Sequence, residues 1–331
     1  MTLRLKTTCA PNPRIEALVS GEVKAAGIEF DWNLQPVPML FCNNIRLDDL
    51  EFSEMSISET LLTVDRKPSL GRGRWDWWAI PVYLSRGHFW TGIMVNKNSG
   101  INDLGDLKGK QVGVPDYCMT AALWMKVTLK DMFGIEASDI SWNNMRPRGE
   151  SQALELELDK NPPPGVTINW LPADRDPVEM LIRGELDAAI GIESERLAAS
   201  PNVKRLLPDR GKQLIFDFFK KTGSFQPNHH YIIQRRLVEN EPSAVMELYS
   251  AFEKSKQVAY ERARRQQSAY LYFEGNDFAE QASIIGEDPY PLGLKAMKPT
   301  LERLIKGSLE QGLIRRPISL DEVYHPSTLN T

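Results

Sequence analysis

The chain has 331 residues, of which 42% are hydrophobic and 25% are charged, and its formal net charge is −4. This length suggests two domains or one large domain, and the composition is ordinary for a globular protein. The pI near 5.8 argues against a nucleic-acid partner, because phosphate binding needs Lys and Arg concentrated on one face.

Targeting segments are not evident in the sequence. The opening MTLRLKTTCAPNPR lacks the apolar stretch of a secretory signal, and no later segment reaches the ~20 apolar residues that span a bilayer. We therefore expect a cytoplasmic protein with no membrane partner. Cys9, Cys42 and Cys118 follow no paired or metal-ligand spacing, which suits a reducing compartment.

The N-terminal third alternates between strand and helix patterns. The residues predict strands at 3–7, 27–34, 51–55 and 77–82, and helices at 13–20 and 58–64, the second capped by Ser58. Two-residue periodicity identifies the strands, and Gly21 ends the first helix.

The pattern then restarts and ends in helices. We predict strands at 111–114, 140–143, 167–171 and 187–191, and helices at 120–133, 151–158 and 177–183. From Val238 onward the chain is mostly helical. Strands that alternate with helices are typical of parallel sheets covered by helices.

These elements predict an α/β fold with two lobes, each a mostly parallel sheet flanked by helices. Lobe I would comprise 1–92 plus 232–331, including the helical C-terminal tail, and lobe II would be the inserted segment 93–231. Segments around Val95 and 231–233 would cross between the lobes, leaving a cleft. Open sheets bind ligands beyond the carboxyl ends of their strands. The loops expected at the cleft therefore follow Thr7, Met55, Val82, Val114 and Gly191, or lie near His229.

An anion site is predicted where the strand 111–114 runs through Pro115 into the helix 120–133. A helix N-terminus offers unpaired N–H groups and the positive end of the helix dipole. A carboxylate near Tyr117, Met119 and Thr120 would meet these donors.

Five segments carry a resemblance to a known family. They are LRLKTTCA with Arg14, SEMSIS at 53–58, IPVYLSR at 80–86, GINDLGDLKGKQVGVPDYCMTAALWMK at 100–126 and MLIRGELDAAIG at 180–191. Together they resemble the 4,5-dihydroxyphthalate decarboxylases. VPDYCMTAALWM is the most specific part, because LKGKxVGVP occurs across many solute-binding proteins.

This resemblance implies a type II periplasmic-binding-protein-like fold that is kept in the cytoplasm as an enzyme. Such enzymes remove one carboxylate from a dihydroxylated phthalate without an organic cofactor. The chain departs from the family pattern at two places. Pro11-Asn12-Pro13-Arg14 keeps only the arginine of Asn-Tyr-Asp-Arg, and His88-Phe89-Trp90 replaces Phe-Arg-His, so the ring substituents of the substrate are left open.

Loss of CO2 from an aromatic acid requires an anchor for the ligand, a group that polarises a ring hydroxyl and a proton donor. Arg86 is the first candidate anchor and Arg14 the second, because a guanidinium grips a carboxylate with two hydrogen bonds. Neutral donors could be added by four hydroxyl residues: Ser56, Ser58, Ser85 and Thr120. Trp90 could stack against a flat ligand.

Histidine is the expected proton donor because it titrates near neutral pH. We favour His229 or His230, with His88 as the alternative, and Glu193 could orient a histidine or activate the ring hydroxyl. The same four side chains form a conceivable divalent-metal ligand set. However, neighbouring residues of a strand point to opposite faces, which argues against His229 and His230 sharing one ion.

The sequence thus predicts a decarboxylase whose partner is a small aromatic carboxylate, with no organic cofactor. Two alternatives stay open: a non-catalytic solute-binding protein for an aromatic carboxylate, and another lyase or hydrolase on the same scaffold. Enzymes of this type are commonly oligomeric, so we expect a homo-oligomer, with the helical tail as an available interface.

Overall fold

The computed structural model describes residues 2–46, 50–70, 75–209, 211–224, 226–239, 241–270 and 276–331. Eleven strands lie in these ranges: β1 (Leu3–Cys9), β2 (Ile28–Leu34), β3 (Phe52–Ser56), β4 (Trp77–Ile80), β5 (Met94–Asn96), β6 (Gln111–Val114), β7 (Ser141–Asn144), β8 (Thr167–Trp170), β9 (Ala188–Ala189), β10 (Val203–Arg205) and β11 (His229–Gln234).

Thirteen α-helices lie in the same described ranges. They are α1 (Glu16–Val19), α2 (Val37–Arg46), α3 (Ile57–Leu70), α4 (Thr120–Phe133), α5 (Gln152–Glu155), α6 (Pro177–Arg183), α7 (Glu195–Ala199), α8 (Lys212–Thr222), α9 (Arg235–Val238), α10 (Pro242–Tyr270), α11 (Asn276–Ile285), α12 (Leu294–Glu310) and α13 (Leu320–Val323).

The strands form two mixed sheets. The first has the order β2-β1-β3-β11-β4, in which β1 runs parallel to β2 and β3 while β11 runs antiparallel to β3 and β4. The second has the order β10-β5-β9-β6-β7-β8, with β9, β6, β7 and β8 mutually parallel and β5 antiparallel to both its neighbours. The predicted fold class is confirmed.

The first sheet draws its strands from 3–80 and 229–234, and the second from 94–205. The division into lobes at 92/93 and 231/232 stays a prediction, although the strands are distributed in this way. Association into a homo-oligomer likewise stays a prediction.

Several elements differ from the sequence-based expectation. Helices α2, α7 and α8 and strand β10 were not predicted. Pro38 lies in the first turn of α2, where its missing N–H costs no hydrogen bond. The strand predicted over 187–191 is limited to β9, and Gly191 beyond it adopts a left-handed φ of 72°, which a strand does not allow.

The C-terminal helices do not all lie on one sheet. Helix α10 packs on the first sheet, where the ring of Phe252 contacts Phe52 and Tyr231. Helix α12 packs instead against α4, and a Cβ on Gly307 would collide with Val127. The tail therefore rests on the first sheet and also covers α4. No helix in the described ranges combines the length and apolarity needed to cross a membrane.

Candidate active site

A cleft of about 480 Å³ is lined by residues next to the strands of both sheets. It is bounded by the carboxyl ends of β3, β6 and β7, the start of β11, and α2. Its lining residues are Val37, Pro38, Phe41, Ser56, Glu59, Ser85, Phe89, Pro115, Met119, Thr120, Ala121, Met145, Arg146, Pro147, Glu150, Pro177, Gly191, Ile192, Asn228 and His229. Five of the six loops predicted at the cleft contribute lining residues, and the loop after Thr7 contributes none.

The N-terminus of α4 opens onto this cleft. Met119 precedes the first turn in extended conformation, and no described side chain caps the helix. The Thr120 hydroxyl lies 2.8 Å from Ser56 Oγ and accepts a hydrogen bond from the Ser58 N–H at 2.9 Å. Thr120 therefore ties α4 to the junction of β3 and α3. A helix start of this kind is suited to an anion, because its first-turn N–H groups have no partner within the helix.

Arg146 supplies a guanidinium to the cleft and was not predicted. Its backbone N–H donates to Pro115 O at 3.0 Å, which holds the residue beside the end of β6. Its side chain is half-buried and donates to Gln152 Oε1. Among the described lining residues it is the one Arg or Lys. The available signal was its position just after the parallel strand β7.

His229 faces the cleft with its orientation set by a carboxylate. Its Nδ1 lies 2.7 Å from Glu54 Oε1, and the other oxygen of Glu54 accepts the Ala10 N–H at 2.8 Å. The ring also packs edge-on against Phe41, with the ring centres 4.8 Å apart. Because a carboxylate accepts hydrogen bonds, Nδ1 donates and Nε2 is the ring nitrogen available to a ligand.

His230 points to the opposite face of β11, into the core. Thr60 Oγ1 donates to Ser56 O at 2.9 Å, so it accepts from His230 Nε2 at 2.8 Å. His230 Nδ1 then accepts from the Tyr324 hydroxyl at 3.1 Å. Burial lowers the pKa of His230 to about 3, and the ring is neutral at physiological pH.

Glu59 is the second cleft residue that the sequence reasoning missed. It lies in the first turn of α3 and is 0% exposed, yet it lines the cleft. Burial, together with the charge of Asp116, raises the pKa of Glu59 to about 8, against a smaller lowering effect of Arg146. A carboxyl group with this pKa is largely protonated at neutral pH. In the sequence it resembled an ordinary acidic residue at a helix start.

The two arginines predicted as anchors lie outside the cleft. Arg86 donates to Pro289 O at 3.3 Å and to Pro291 O at 2.6 Å, and burial lowers its pKa to about 10. Arg14 donates to Leu84 O at 2.6 Å. Their guanidinium groups are directed at backbone carbonyls, so the structure does not place either one where a cleft ligand could reach it.

His88 and Glu193 lie in a separate cavity of about 440 Å³ beside the cleft. The His88 ring packs between Trp90 and Phe218, and burial lowers its pKa to about 4. Glu193 is exposed and pairs with Arg205 at 2.9 Å. Neither residue is positioned to orient His229.

Three further predicted residues are packed into the protein rather than into the cleft. Trp90 is fully buried and donates its Nε1–H to Gln226 at 3.0 Å. The ring of Tyr117 lies under the ammonium group of Lys126, 3.3 Å away. Ser58 is inside α3 rather than at its cap, and its hydroxyl has no partner among the described residues.

The structure thus brings together a subset of the predicted residues. Those at the cleft are Ser56, Ser85, Met119, Thr120 and His229. The ligand set considered for a metal is split among the cleft, the core and the second cavity. Within the described ranges, no three His, Cys, Asp or Glu side chains group as metal ligands would.

Comparison with known proteins matches this chain to two named enzymes. Over 333 aligned residues it is 27% identical to a 4,5-dihydroxyphthalate decarboxylase of Comamonas testosteroni, covering 99% of this chain and 98% of the relative. Over 180 residues it is 33% identical to a 4,5-dihydroxyphthalate decarboxylase of Pseudomonas putida, covering 54% and 66%. The predicted family resemblance is confirmed. No protein-family model matches the chain.

A solved structure supports the fold. The periplasmic aliphatic sulphonate binding protein SsuA of Escherichia coli superposes with a TM-score of 0.53 at 14% identity, covering 100% of both chains. At this identity the likeness concerns the fold alone. The function is therefore compared with that of the decarboxylase relatives, and SsuA is used only for comparison of the fold.

Proposed function

We propose that this protein is a carboxy-lyase that releases CO2 from a hydroxylated aromatic carboxylic acid of the 4,5-dihydroxyphthalate type. The names of the two relatives support this class of reaction. The observation that carries the proposal is the cleft itself. It combines a helix start and Arg146, both of which are suited to an anion, with an imidazole that is oriented by Glu54.

The carboxylate of the ligand would bind between Arg146 and the first turn of α4. A guanidinium and helix N–H groups are both donors suited to a planar anion. The rest of the wall is mainly apolar, with Phe41, Phe89 and Met145 among its members. Such a wall accommodates a flat ring and excludes water, which strengthens the electrostatic contacts.

The chemistry requires that the electron pair of the broken C–C bond be stabilised. A hydroxyl ortho or para to the leaving carboxylate provides this, because the ring can take a keto form once a proton has been added to the carbon. The ring thus acts as its own electron sink, and the proposed reaction needs no organic cofactor. His229 would exchange protons with the substrate through Nε2, and Glu54 would stabilise the imidazolium form.

The proposal is tested by incubating the purified protein with 4,5-dihydroxyphthalate and a panel of hydroxybenzoates while trapping CO2. We expect release from at least one acid and loss of release in Arg146→Ala. Folded protein that releases CO2 from no member of the panel would contradict the proposal. A ligand that raises Tm but is recovered unchanged after long incubation would instead favour a binding protein.

A further inference from the structure

We propose that Glu59 is the catalytic acid that delivers a proton to the ring carbon as CO2 leaves, while His229 receives the proton of the ring hydroxyl. This inference rests on the proposed decarboxylation. It gives to Glu59 the proton donation that the sequence assigned to a histidine, and to His229 the activation of the ring hydroxyl that the sequence left to Glu193.

The positions of Glu59 and His229 support two separate roles. His229 is paired in register with Ser56 at the end of β3, and Glu59 follows three residues later on the first turn of α3. Both line the same cleft, the imidazole from a strand and the carboxyl from a helix start. A flat ligand anchored at Arg146 can therefore meet a base and an acid at different atoms.

The carboxyl group of Glu59 has side-chain hydrogen bonds with Cys118 and Ser56, yet one of its two oxygens has no partner among the described residues. Among the described residues, Oε2 of Glu59 is buried without a hydrogen-bond partner, and Oε1 lies 3.8 Å from Cys118 Sγ. A buried polar atom without a partner is costly, and such atoms in native structures often have a functional reason. A ligand in the cleft would be the missing neighbour of Oε2.

Burial first, and then the charge of Asp116, raises the pKa of this carboxyl group, so it holds a proton at neutral pH. Four titratable or charged groups face it: Cys42 on α2, Asp116 and Cys118 between β6 and α4, and Arg146 after β7. Asp116 accepts hydrogen bonds from the N–H groups of Cys118 and Ala153. A second negative charge beside it is unfavourable, which is consistent with the raised pKa of Glu59, about 8.

The proposed step balances in atoms and electrons. Glu59 gives its proton to the carbon that bears the carboxylate, and the ring hydroxyl gives its proton to His229 Nε2, producing a keto form. The C–CO2 bond then breaks, and its electron pair restores the aromatic phenolate. CO2 leaves, the phenolate recovers the proton from His229, and solvent reprotonates Glu59. One proton is consumed overall, as decarboxylation of a carboxylate requires.

Infrared spectroscopy measures the protonation state of Glu59 without the need for turnover. The infrared C=O stretching band of a protonated carboxyl group should be present in the wild-type protein at pH 7 and absent in Glu59→Gln. The same isosteric change at Glu302, exposed on α12, is the matched control and should keep the band. If Glu59→Gln leaves the infrared spectrum unchanged, Glu59 holds no transferable proton and the proposal is overturned.

Steady-state kinetics test the role of Glu59 in catalysis. Glu59→Gln should lower kcat by about 10²–10⁴-fold while ligand binding is retained, and Glu59→Asp should recover part of the loss. In the wild type and in Glu302→Gln, kcat/KM should fall as pH rises through about 8, where Glu59 of the free enzyme loses its proton. That alkaline fall should disappear from the residual activity of Glu59→Gln.

The outcomes separate this inference from the proposed function. CO2 release by the wild type with near-normal kcat in Glu59→Gln would overturn the role of Glu59 and leave decarboxylation standing. No CO2 release by the wild type would overturn decarboxylation and, with it, the donor role. Release by the wild type, loss in Glu59→Gln and retained binding would support both.

Discussion

The two adjacent histidines of β11 show how one residue type takes two roles. His229 is directed into the cleft and held by Glu54, whereas His230 is enclosed in the core between Thr60 and Tyr324. Strand geometry alone separates them, because successive side chains point to opposite faces. The comparison teaches that the surroundings of a side chain, and not its chemical type, decide whether it can meet a ligand.

The largest expected effect tests this contrast directly. His229→Asn keeps a donor at the position of Nδ1 but removes Nε2, so we expect kcat to fall by about 10²–10⁴-fold with Tm unchanged. His230→Asn should leave the folded enzyme active but lower the free energy of unfolding by about 1–3 kcal/mol, because buried hydrogen bonds are lost. CO2 release and thermal unfolding measure the two effects. Loss of activity in a fully stable His230→Asn protein would contradict the division of roles.

Arg146 and Arg86 differ in the same way as the two histidines, because only Arg146 lines the cleft. Arg146→Ala should weaken ligand binding by about 2–5 kcal/mol, because the anion loses its cation in a partly desolvated site. Arg86→Ala should spare binding and reduce stability, since Arg86 holds the carbonyls of Pro289 and Pro291. Calorimetric titration and denaturant unfolding distinguish these effects. Equal binding by Arg146→Ala and the wild type would remove Arg146 from the site.

Glu59 and His230 should give stability opposite dependences on pH. The pKa of Glu59 rises from 4.5 to about 8 on folding, so the folded state binds more protons between these values and stability falls as pH rises. Glu59→Gln should therefore gain stability relative to the wild type, by up to about 1.4 kcal/mol per pH unit from pH 4.5 to 8. Urea unfolding at several pH values checks this, and a constant difference would contradict it.

For His230 the sign is reversed. Its pKa falls from 6.5 to about 3 on folding, so the unfolded state binds more protons in this interval and stability is lost as pH falls from 6.5 toward 3. In His230→Asn, the free energy of unfolding should therefore decrease less than in the wild type as pH falls from 6.5 toward 3. An equal decrease in His230→Asn and in the wild type would assign the acid sensitivity to other groups, such as His88.

The smallest expected effect concerns two serines at the junction of β3 and α3. Ser56→Ala removes the hydrogen bond to Thr120 and should cost about 0.5–1.5 kcal/mol. Ser58→Ala removes a buried hydroxyl that has no partner among the described residues and should be neutral or slightly stabilising. Chemical denaturation of both variants provides the comparison, and a larger loss in Ser58→Ala would contradict it.

Elements whose ends carry local signals could be predicted from the sequence. The helix predicted over 177–183 is observed as α6, because Asp176 caps its start, Pro177 occupies the first turn and Gly184 ends it with a φ of 78°. The strand and helix around Pro115 were likewise predicted at their observed bounds. Each of these signals depends only on residues that are neighbours in the sequence. They can therefore be recognised without knowledge of the tertiary structure.

By itself, the sequence determined the fold class, the family resemblance and the strand ends that would form the cleft. Only the tertiary structure decided which side chains at those ends face a ligand. Arg86 donates to the carbonyl of Pro291, about two hundred residues away in the chain, whereas Arg146 lines the cleft together with the N-terminus of α4. The proton on Glu59 likewise depends on desolvation and on Asp116, which are properties of packing between distant segments.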